Sequence, residues 1–354
     1  MKQLLRTSVF IILLASPGWA SPLLDGGSGK GCGVGGSRFV SLPISVDLPN
    51  AYTGNNPDPV STAMKAWGEY VMRLGSNAQS SSKAQAELRR VLLDAANANA
   101  MSWPKDWSQG DDRPPSVIYH TMETLFPAVV SYGQNREEFS KDERAIFEAW
   151  AGDIIDRLGK TEKIRSWKTD NKKYQYGALS AAFGVITGKS KYLNTGVKIY
   201  KTAINSLRED GSLPGDTERG GSSLHYTNHA IANLVAIAEY ASDGGIDLYS
   251  YGSGSKSIHA AISFLVAAQE NPSLIAKYAV KTGAKTGSFK GYSAEKQDRR
   301  WASEEKASWG YYYLRRFGKS AIGQALLEVS PFLRAGKAGV FSQAGGNARC
   351  FVSG

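Results

Sequence analysis

The feature that most constrains this fold is a helical apolar pattern that runs from about residue 60 to residue 317 without a proline-rich linker. Apolar side chains recur at spacings of three and four, as at Ile146, Trp150 and Ile154, which places them on one face of an α-helix. The predicted helices cover residues 60–74, 82–98, 116–131, 141–158, 174–187, 191–207, 223–241, 257–268 and 304–317. We therefore predict one all-α domain, which the pattern alone allows to be a bundle, a solenoid or a toroid of helical hairpins.

Local signals set several helix boundaries. Ser140 followed by Glu143 is a capping-box pattern, which predicts a helix that begins at residue 141. Gly188 and Gly244 follow apolar helical segments and predict their ends.

The chain divides into four predicted parts. Residues 1–20 carry Lys2 and Arg6, then an apolar run at 9–15, and end in a small-residue cleavage pattern, so we expect an export signal there. A buried N-terminal helix is the alternative. Residues 21–55 are rich in Gly, Ser, Pro and Asn and predict an irregular extension. Residues 56–335 form the helical domain and 336–354 a C-terminal tail. We expect the mature protein to be periplasmic or secreted.

Cysteine and histidine usage limits the chemistry. Cys32 and Cys350 are the only cysteines, and in an oxidising compartment they could pair, although two free thiols are the alternative. His225 and His229 are spaced as i and i+4 but lack the glutamate of the His-Glu-x-x-His zinc motif. We therefore expect neither a metal ion nor an organic cofactor.

The charge balance favours a polyanionic partner. The chain has 42 Lys and Arg against 32 Asp and Glu, a formal net charge of +10. Nucleic acid and acidic polysaccharide both fit, but the sequence contains no recognisable nucleic-acid-binding module, and export favours the polysaccharide. After the N-terminal segment no apolar stretch is long enough for a membrane span. The oligomeric state does not follow from the sequence.

One segment carries a recognisable chemical pattern. Asp-Gly-Ser-Leu-Pro occupies residues 210–214, Arg219 follows, and Tyr226 comes seven residues later at the start of an apolar helix. A guanidinium matches a carboxylate with two parallel hydrogen bonds, and a phenol can transfer a proton. The pair suits chemistry on a sugar acid.

This segment resembles the signature of the alginate lyase family of polysaccharide lyases, which runs Asp-Gly-x-Leu-Pro, Arg, six residues, Tyr and an apolar helix. Residues 170–175 read Asp-Asn-Lys-Lys-Tyr-Gln where the family carries Asn-Asn-His-x-Tyr-Trp, and residues 307–312 are similar to its late aromatic segment. The resemblance covers roughly residues 140–240. It implies an incomplete (α/α) toroid whose helices surround a sugar-binding groove.

The resemblance also implies catalytic roles. A uronate lyase removes the proton at C5 and protonates the departing O4. Arg219 would neutralise the uronate, Asn171 would hydrogen-bond its carboxylate, and Tyr226 would be the catalytic tyrosine. An unperturbed tyrosine has a pKa of about 10, so we expect nearby cations to favour the phenolate. One tyrosine can serve as base and acid only in syn elimination, the geometry of β-mannuronate and β-glucuronate.

Lys172 departs from the family, which has histidine there. It could neutralise charge or act as a base with a lowered pKa, and the sequence leaves both open. Asn171 could instead be the N-cap of the following helix. Arg219 could instead pair with Glu218 or Asp216.

Further side chains could contact substrate by position or by aromatic stacking, although each could equally be structural. These candidates are His225, His229, Tyr174, Trp103, Trp107 and Arg300. His120 is a reserve candidate for the base. We therefore expect an exported lyase that cleaves a β-1,4-linked polyuronate, either mannuronan-rich alginate or glucuronan. The alternative is a non-catalytic binder of acidic glycans on the same fold.

Overall fold

The computed structural model describes residues 32–36, 38–43, 59–103, 115–161, 164, 166, 170–279 and 293–351. The predicted export signal at 1–20 and the side chain of Trp107 lie outside these residues. No helix of the described part is both long enough and apolar enough to cross a membrane.

The described part of the chain is built from α-helices and short turns, so the all-α prediction is confirmed. The longer helices are α1 (Pro59–Ala78), α2 (Ser82–Asn97), α3 (Pro115–Gln134), α4 (Lys141–Lys160), α5 (Asn171–Thr187), α6 (Ser190–Asn205), α7 (Ser223–Asp243), α8 (Ile258–Glu270), α9 (Ser273–Ala279), α10 (Gly310–Phe317) and α11 (Ala321–Val329). Single-turn helices at Pro214–Thr217 and Pro331–Arg334 join them. Isolated β-bridges pair Ser253 with Lys256 and Phe341 with Gly346.

Most predicted boundaries agree with the structure. Ser140 and Glu143 form both hydrogen bonds of a capping box, and Gly188 ends α5 at a φ of 68°, a conformation that glycine adopts without strain. The predicted helix at 304–317 is wrong in its first half, because Glu305–Ala307 is a 3₁₀ turn and α10 begins at residue 310. Helices α9 and α11 were not predicted.

Alternate helices form an inner ring and run in the same direction. A Cβ at Gly68 of α1 would lie 3.6 Å from Thr124 of α3, and seven residues later Gly75 lies against Ser131. Gly133, near the end of α3, packs in turn against Ile186 near the end of α5. This ring continues through α7 to α10, and α2, α4, α6, α8 and α11 pack outside it. Alternating inner and outer helices make the (α/α) toroid, and the inner N-termini share one end.

Helices α5 and α7 are the most enclosed part of the ring. Nearly every residue of α7 from Thr227 to Ala241 is buried, and so is most of α5. A helix that is apolar on all sides is stable only when other elements surround it. Buried polar side chains are uncommon on such helices, so Asn171 and Asn233 are candidates for a functional role.

The C-terminal segment packs into the domain. Residues 336–351, the described part of the predicted C-terminal tail at 336–354, place the 3₁₀ turn Ser342–Ala344 against α3 and α7. Cys32 and Cys350 form a disulfide across 318 residues, so of the two alternatives that the sequence leaves open the structure shows the pairing. Asn347 Nδ2 donates to the Cys32 carbonyl at 3.3 Å and to Ser76 Oγ on α1 at 2.8 Å. Both ends of the described chain are thereby fixed to the inner ring.

Candidate active site

The predicted site residues collect where α5 and α7 begin, at the shared N-terminal end of the inner ring. Asp170, Asn171 and Lys172 lie at the start of α5, and Tyr226 lies in the first turn of α7. Arg219 lies in the segment that leads into α7. Helix N-termini carry partial positive charge and unpaired N–H groups, so this end of the ring suits an anionic ligand.

The Asp-Gly-Ser-Leu-Pro segment folds as a tight turn for identifiable reasons. Gly211 has a φ of 82°, and a Cβ there would lie 2.5 Å from the carbonyl oxygen of Ala260. Only glycine tolerates both conditions. Pro214 then opens the single-turn helix Pro214–Thr217, as proline does at a first helical position. This turn brings Asp216 and Arg219 back over the start of α5.

Asp170 joins the two motifs. Its Oδ1 accepts hydrogen bonds from the backbone N–H groups of Lys172 and Lys173, both at 3.1 Å, so it is the N-cap of α5. The alternative that Asn171 is the N-cap is therefore wrong, because Asn171 is the first helical residue. The other oxygen of Asp170 lies 3.3 Å from Nη2 of Arg219. This ion pair draws Arg219 to the helix start.

Arg219 lies between Asp170 and Tyr226. Its Nε donates to the carbonyl of Gly215 at 3.2 Å, and its guanidinium carbon is 4.9 Å from the ring centroid of Tyr226. Glu218, which was an alternative partner, pairs instead with Arg208 at 2.6 Å. The structure thus brings the predicted guanidinium and phenol into contact.

Asn171 is held by a carboxylate that the sequence did not assign to the site. Its backbone N and its Nδ2 both donate to Oδ1 of Asp216, at 3.0 and 2.7 Å. Asp216 is fully buried, and burial together with the adjacent Asp170 raises its pKa to about 7, although Arg219 and Asn171 oppose the shift. The sequence suggested Asp216 only as a possible partner of Arg219.

Lys172 lies in the same charge cluster and is partly buried. Burial, followed by the neighbouring positive charge of Arg219, lowers the pKa of its ammonium group, while Asp170 and Asp216 act in the opposite direction. Two cations, Arg219 and Lys172, and two carboxyl groups, those of Asp170 and Asp216, therefore lie around Asn171.

The two histidines flank Tyr226 on α7. Their rings lie 4.1 Å apart, and the ring of His229 is also 5.2 Å from that of Phe341. His229 is buried, and among the described residues neither of its ring nitrogens has a hydrogen-bond partner. Burial lowers its pKa well below the usual value, so it is neutral at physiological pH. Burial also lowers the pKa of His225, whose Nδ1 lies 4.0 Å from Asp298.

A buried amide connects the ring helices beneath these residues. Asn233 Nδ2 donates to Oε1 of Gln343 at 2.7 Å and lies 3.5 Å from the carbonyl of Asn171. Gln343 Nε2 donates to the phenol oxygen of Tyr119 on α3 at 3.2 Å. The sequence did not indicate Tyr119, Asn233 or Gln343 as site residues. The one available signal was an asparagine within an apolar helix.

The remaining candidates lie at the margin. Arg300 is exposed and makes two 2.8 Å bonds to Asp298, the carboxylate that faces His225. Trp103 lies beneath the guanidinium of Arg157 at 5.3 Å, and Tyr174 is buried in the core.

Two further features complete the description of the site. His120 Nδ1 lies 3.2 Å from Glu123 on α3. Within the described ranges no group of three His, Cys, Asp or Glu side chains is arranged to hold a metal ion.

The fold is an all-helical toroid, and the cluster at one end of its inner ring brings Arg219 and Lys172 together with the ring of Tyr226. The sequence model of the alginate lyase family matches residues 48–275, and the chain belongs to that family. An alginate lyase of Cobetia marina is 29% identical over 167 residues, which are 44% of this chain and 45% of that protein. A polysaccharide lyase of Stenotrophomonas maltophilia is 24% identical over 246 residues, which are 60% of this chain and 73% of that protein. The match therefore spans less than half of the Cobetia relative.

Solved structures share the toroid. Alginate lyase A1-III from Sphingomonas species A1 superposes with a TM-score of 0.69 at 24% identity, covering 91% of this chain and 87% of that chain. An alginate lyase from Bacteroides ovatus gives a TM-score of 0.55 at 16% identity, covering 80% and 76%. These similarities confirm the predicted fold class.

Proposed function

We propose that the protein is an exported polysaccharide lyase that cleaves a β-1,4-linked polyuronate by syn β-elimination. The observation that carries the proposal is the position of Arg219, with its guanidinium against both Asp170 and the ring of Tyr226. A guanidinium that would bind the uronate carboxylate therefore lies beside the phenol that would transfer the proton, at the end of the ring where helix N-termini favour anions.

The residues divide the reaction between them. Arg219, Asn171 and Lys172 would bind the uronate carboxylate and stabilise the negative charge that develops as the C5 proton leaves. The phenolate of Tyr226 would take that proton. As the C4–O4 bond breaks and the C4–C5 double bond forms, the phenol would return a proton to O4. This regenerates the phenolate and leaves an unsaturated sugar at the new non-reducing end.

Related structures support an oligosaccharide as the ligand. Two structures of alginate lyase A1-III, one with a histidine replaced by alanine and one with a tyrosine replaced by phenylalanine, are complexes with tetrasaccharide. For the present chain we propose mannuronan-rich alginate or glucuronan as substrate, because both allow syn elimination by one tyrosine. We propose no nucleic acid or membrane partner.

Export is part of the proposal. It rests on the signal-like pattern of residues 1–20 and on the Cys32–Cys350 disulfide, which is a type of bond that persists in oxidising compartments.

The test is an ultraviolet screen of the mature protein against polymannuronate, glucuronan, polyguluronate, pectate and hyaluronan. We expect an unsaturated product from polymannuronate or glucuronan and none from polyguluronate. Cleavage of polyguluronate alone would contradict the syn assignment. Binding of these polymers without any unsaturated product would support the alternative, a non-catalytic glycan-binding protein. In that case lysine in place of the family's histidine at position 172 would accompany the loss of lyase activity.

A further inference from the structure

Asp216 is a fully buried carboxyl group directly beneath the groups that would meet the substrate. Its Oδ1 accepts two hydrogen bonds from Asn171, whereas its Oδ2 has no partner among the described residues. An enclosed carboxylate with an unpaired oxygen carries a large desolvation cost. A buried polar atom without a partner is uncommon, so Asp216 is a candidate for a functional role.

The two bonds fix the orientation of the Asn171 side chain. An amide NH₂ group has two hydrogens, and Asp216 takes one of them at 2.7 Å. The amide cannot turn over, because its oxygen would then face the carboxylate oxygen. Asp216 therefore determines where the second N–H and the carbonyl oxygen of Asn171 point.

The charges that face Asp216 come from two elements. Asp170 and Lys172 lie at the start of α5, and Arg219 lies in the segment before α7. Asp170 favours the protonated form of Asp216, and the two cations favour its ionised form. A substrate carboxylate bound by Asn171 and Arg219 would add a second anion close by, which favours protonation.

We propose that Asp216 is a positioning residue that directs the Asn171 amide at the uronate carboxylate and takes up a proton when the anionic substrate binds. Its unpaired Oδ2 is the atom available to carry that proton. This inference rests on the proposed function, because it needs an anionic substrate at Asn171 and Arg219.

The linkage has a defined sign. In the substrate-free protein, burial and Asp170 raise the pKa of Asp216 to about 7. Since a bound anion raises it further, binding takes up protons, and affinity falls as the pH rises through that value. Each unit of additional shift corresponds to about a tenfold loss of affinity at high pH.

The first experiment measures kcat and KM from about pH 6 to about pH 9, a range that extends below and above neutral pH. The variants are Asp216→Asn, Asp216→Ala and the control Asp156→Asn, which removes an exposed carboxylate paired with Lys191 on the outer helices. We expect the KM of the wild type and the control to rise with pH. Asp216→Asn should show a flat KM, because its amide oxygen still accepts from Asn171 but cannot titrate. Asp216→Ala should lower kcat/KM by about 10- to 100-fold, because the Asn171 amide loses its anchor.

The second experiment measures proton uptake directly. Calorimetric binding of polymannuronate and glucuronan to a Tyr226→Phe variant, in buffers of different ionisation enthalpy, should show proton uptake near neutral pH. The Tyr226→Phe/Asp216→Asn double variant should show none. Unchanged uptake in the double variant, or wild-type kinetics in Asp216→Ala, would overturn this inference alone. A wild type that forms no unsaturated product from any polyuronate would overturn the proposed function, and this inference with it.

Discussion

Nη2 of Arg219 lies 3.3 Å from Oδ2 of Asp170, the residue that caps α5. The two side chains are only about one-fifth exposed, at 19% and 17%. The pair therefore holds a guanidinium in a fixed place at the mouth of the inner ring. Under the proposed function a substrate carboxylate would share this guanidinium with Asp170, so both the position and the charge of Arg219 would contribute.

We predict that Arg219→Ala lowers kcat by about 10²–10³-fold, the range for loss of one oxyanion-stabilising donor. Arg219→Lys should recover only part of this, because an ammonium group cannot bridge Asp170 and the substrate with two parallel bonds. Steady-state kinetics on polymannuronate and glucuronan measure the effect. Arg89→Ala, which breaks an exposed pair with Glu143, is the control.

Esterified polymer provides a second check on the same assignment. A substrate with esterified carboxyl groups offers no anion to Arg219 and should be cleaved poorly. Equal rates on free and esterified polymer would remove Arg219 from the carboxylate-binding role.

Substitutions of Lys172 separate its two candidate roles. If Lys172 neutralises charge, as we expect, Lys172→Arg keeps measurable activity, Lys172→His keeps some and Lys172→Ala keeps little. A guanidinium does not deprotonate in proteins, so a base at this position would be lost in Lys172→Arg. An inactive Lys172→Arg enzyme with unchanged substrate affinity would contradict charge neutralisation.

Asp216 should also affect stability, in a direction set by its pKa. The pKa is raised to about 7 in the folded protein from an ordinary value of 3.8, so the folded state binds more protons between these values. The contribution of Asp216 to stability is thus fully present below its unfolded pKa and is lost as the pH rises to 7. Between these pKa values the free energy of unfolding falls by up to about 1.4 kcal/mol per pH unit.

We therefore expect the free energy of unfolding of the wild type, measured against that of Asp216→Asn, to fall between about pH 4 and about pH 7. Urea unfolding at several pH values measures the difference. A difference that does not change with pH would show that Asp216 ionises normally.

The disulfide should contribute to stability. Cys32→Ser, Cys350→Ser and the double variant should each lose about 2–5 kcal/mol of unfolding free energy, the usual cost of removing a native disulfide. The three losses should be nearly equal, because either change removes the same bond. Losses that add in the double variant would mean that the thiols contribute separately.

Local signals predicted the helices and their ends because they act within one helix or turn, whereas the toroid followed from the family resemblance. The capping box at Ser140, the left-handed Gly188 and the Asp-Gly-Ser-Leu-Pro turn each depend on neighbours within a few residues. The same local pattern, with the family resemblance, predicted Arg219 beside Tyr226.

The rest of the site depends on contacts between distant residues. Asn233 meets Gln343 across 110 residues, and Gln343 meets Tyr119 across 224. No periodicity encodes such pairs. Asp216 was missed as the anchor of Asn171 because its role arises only when the turn folds back over α5.

The most direct test of the central claim is the ultraviolet absorbance of the unsaturated uronate released by the wild type and by Tyr226→Phe. The variant keeps the ring against Arg219 and loses only the hydroxyl group, so it should fold as the wild type does, as circular dichroism and thermal unfolding would verify. We predict that the wild type forms product from polymannuronate or glucuronan, and that Tyr226→Phe is slower by about 10²–10⁴-fold, the usual contribution of a general acid–base group. A folded Tyr226→Phe variant that retains more than about a tenth of the wild-type rate would contradict the account, since acid–base catalysis is normally worth far more.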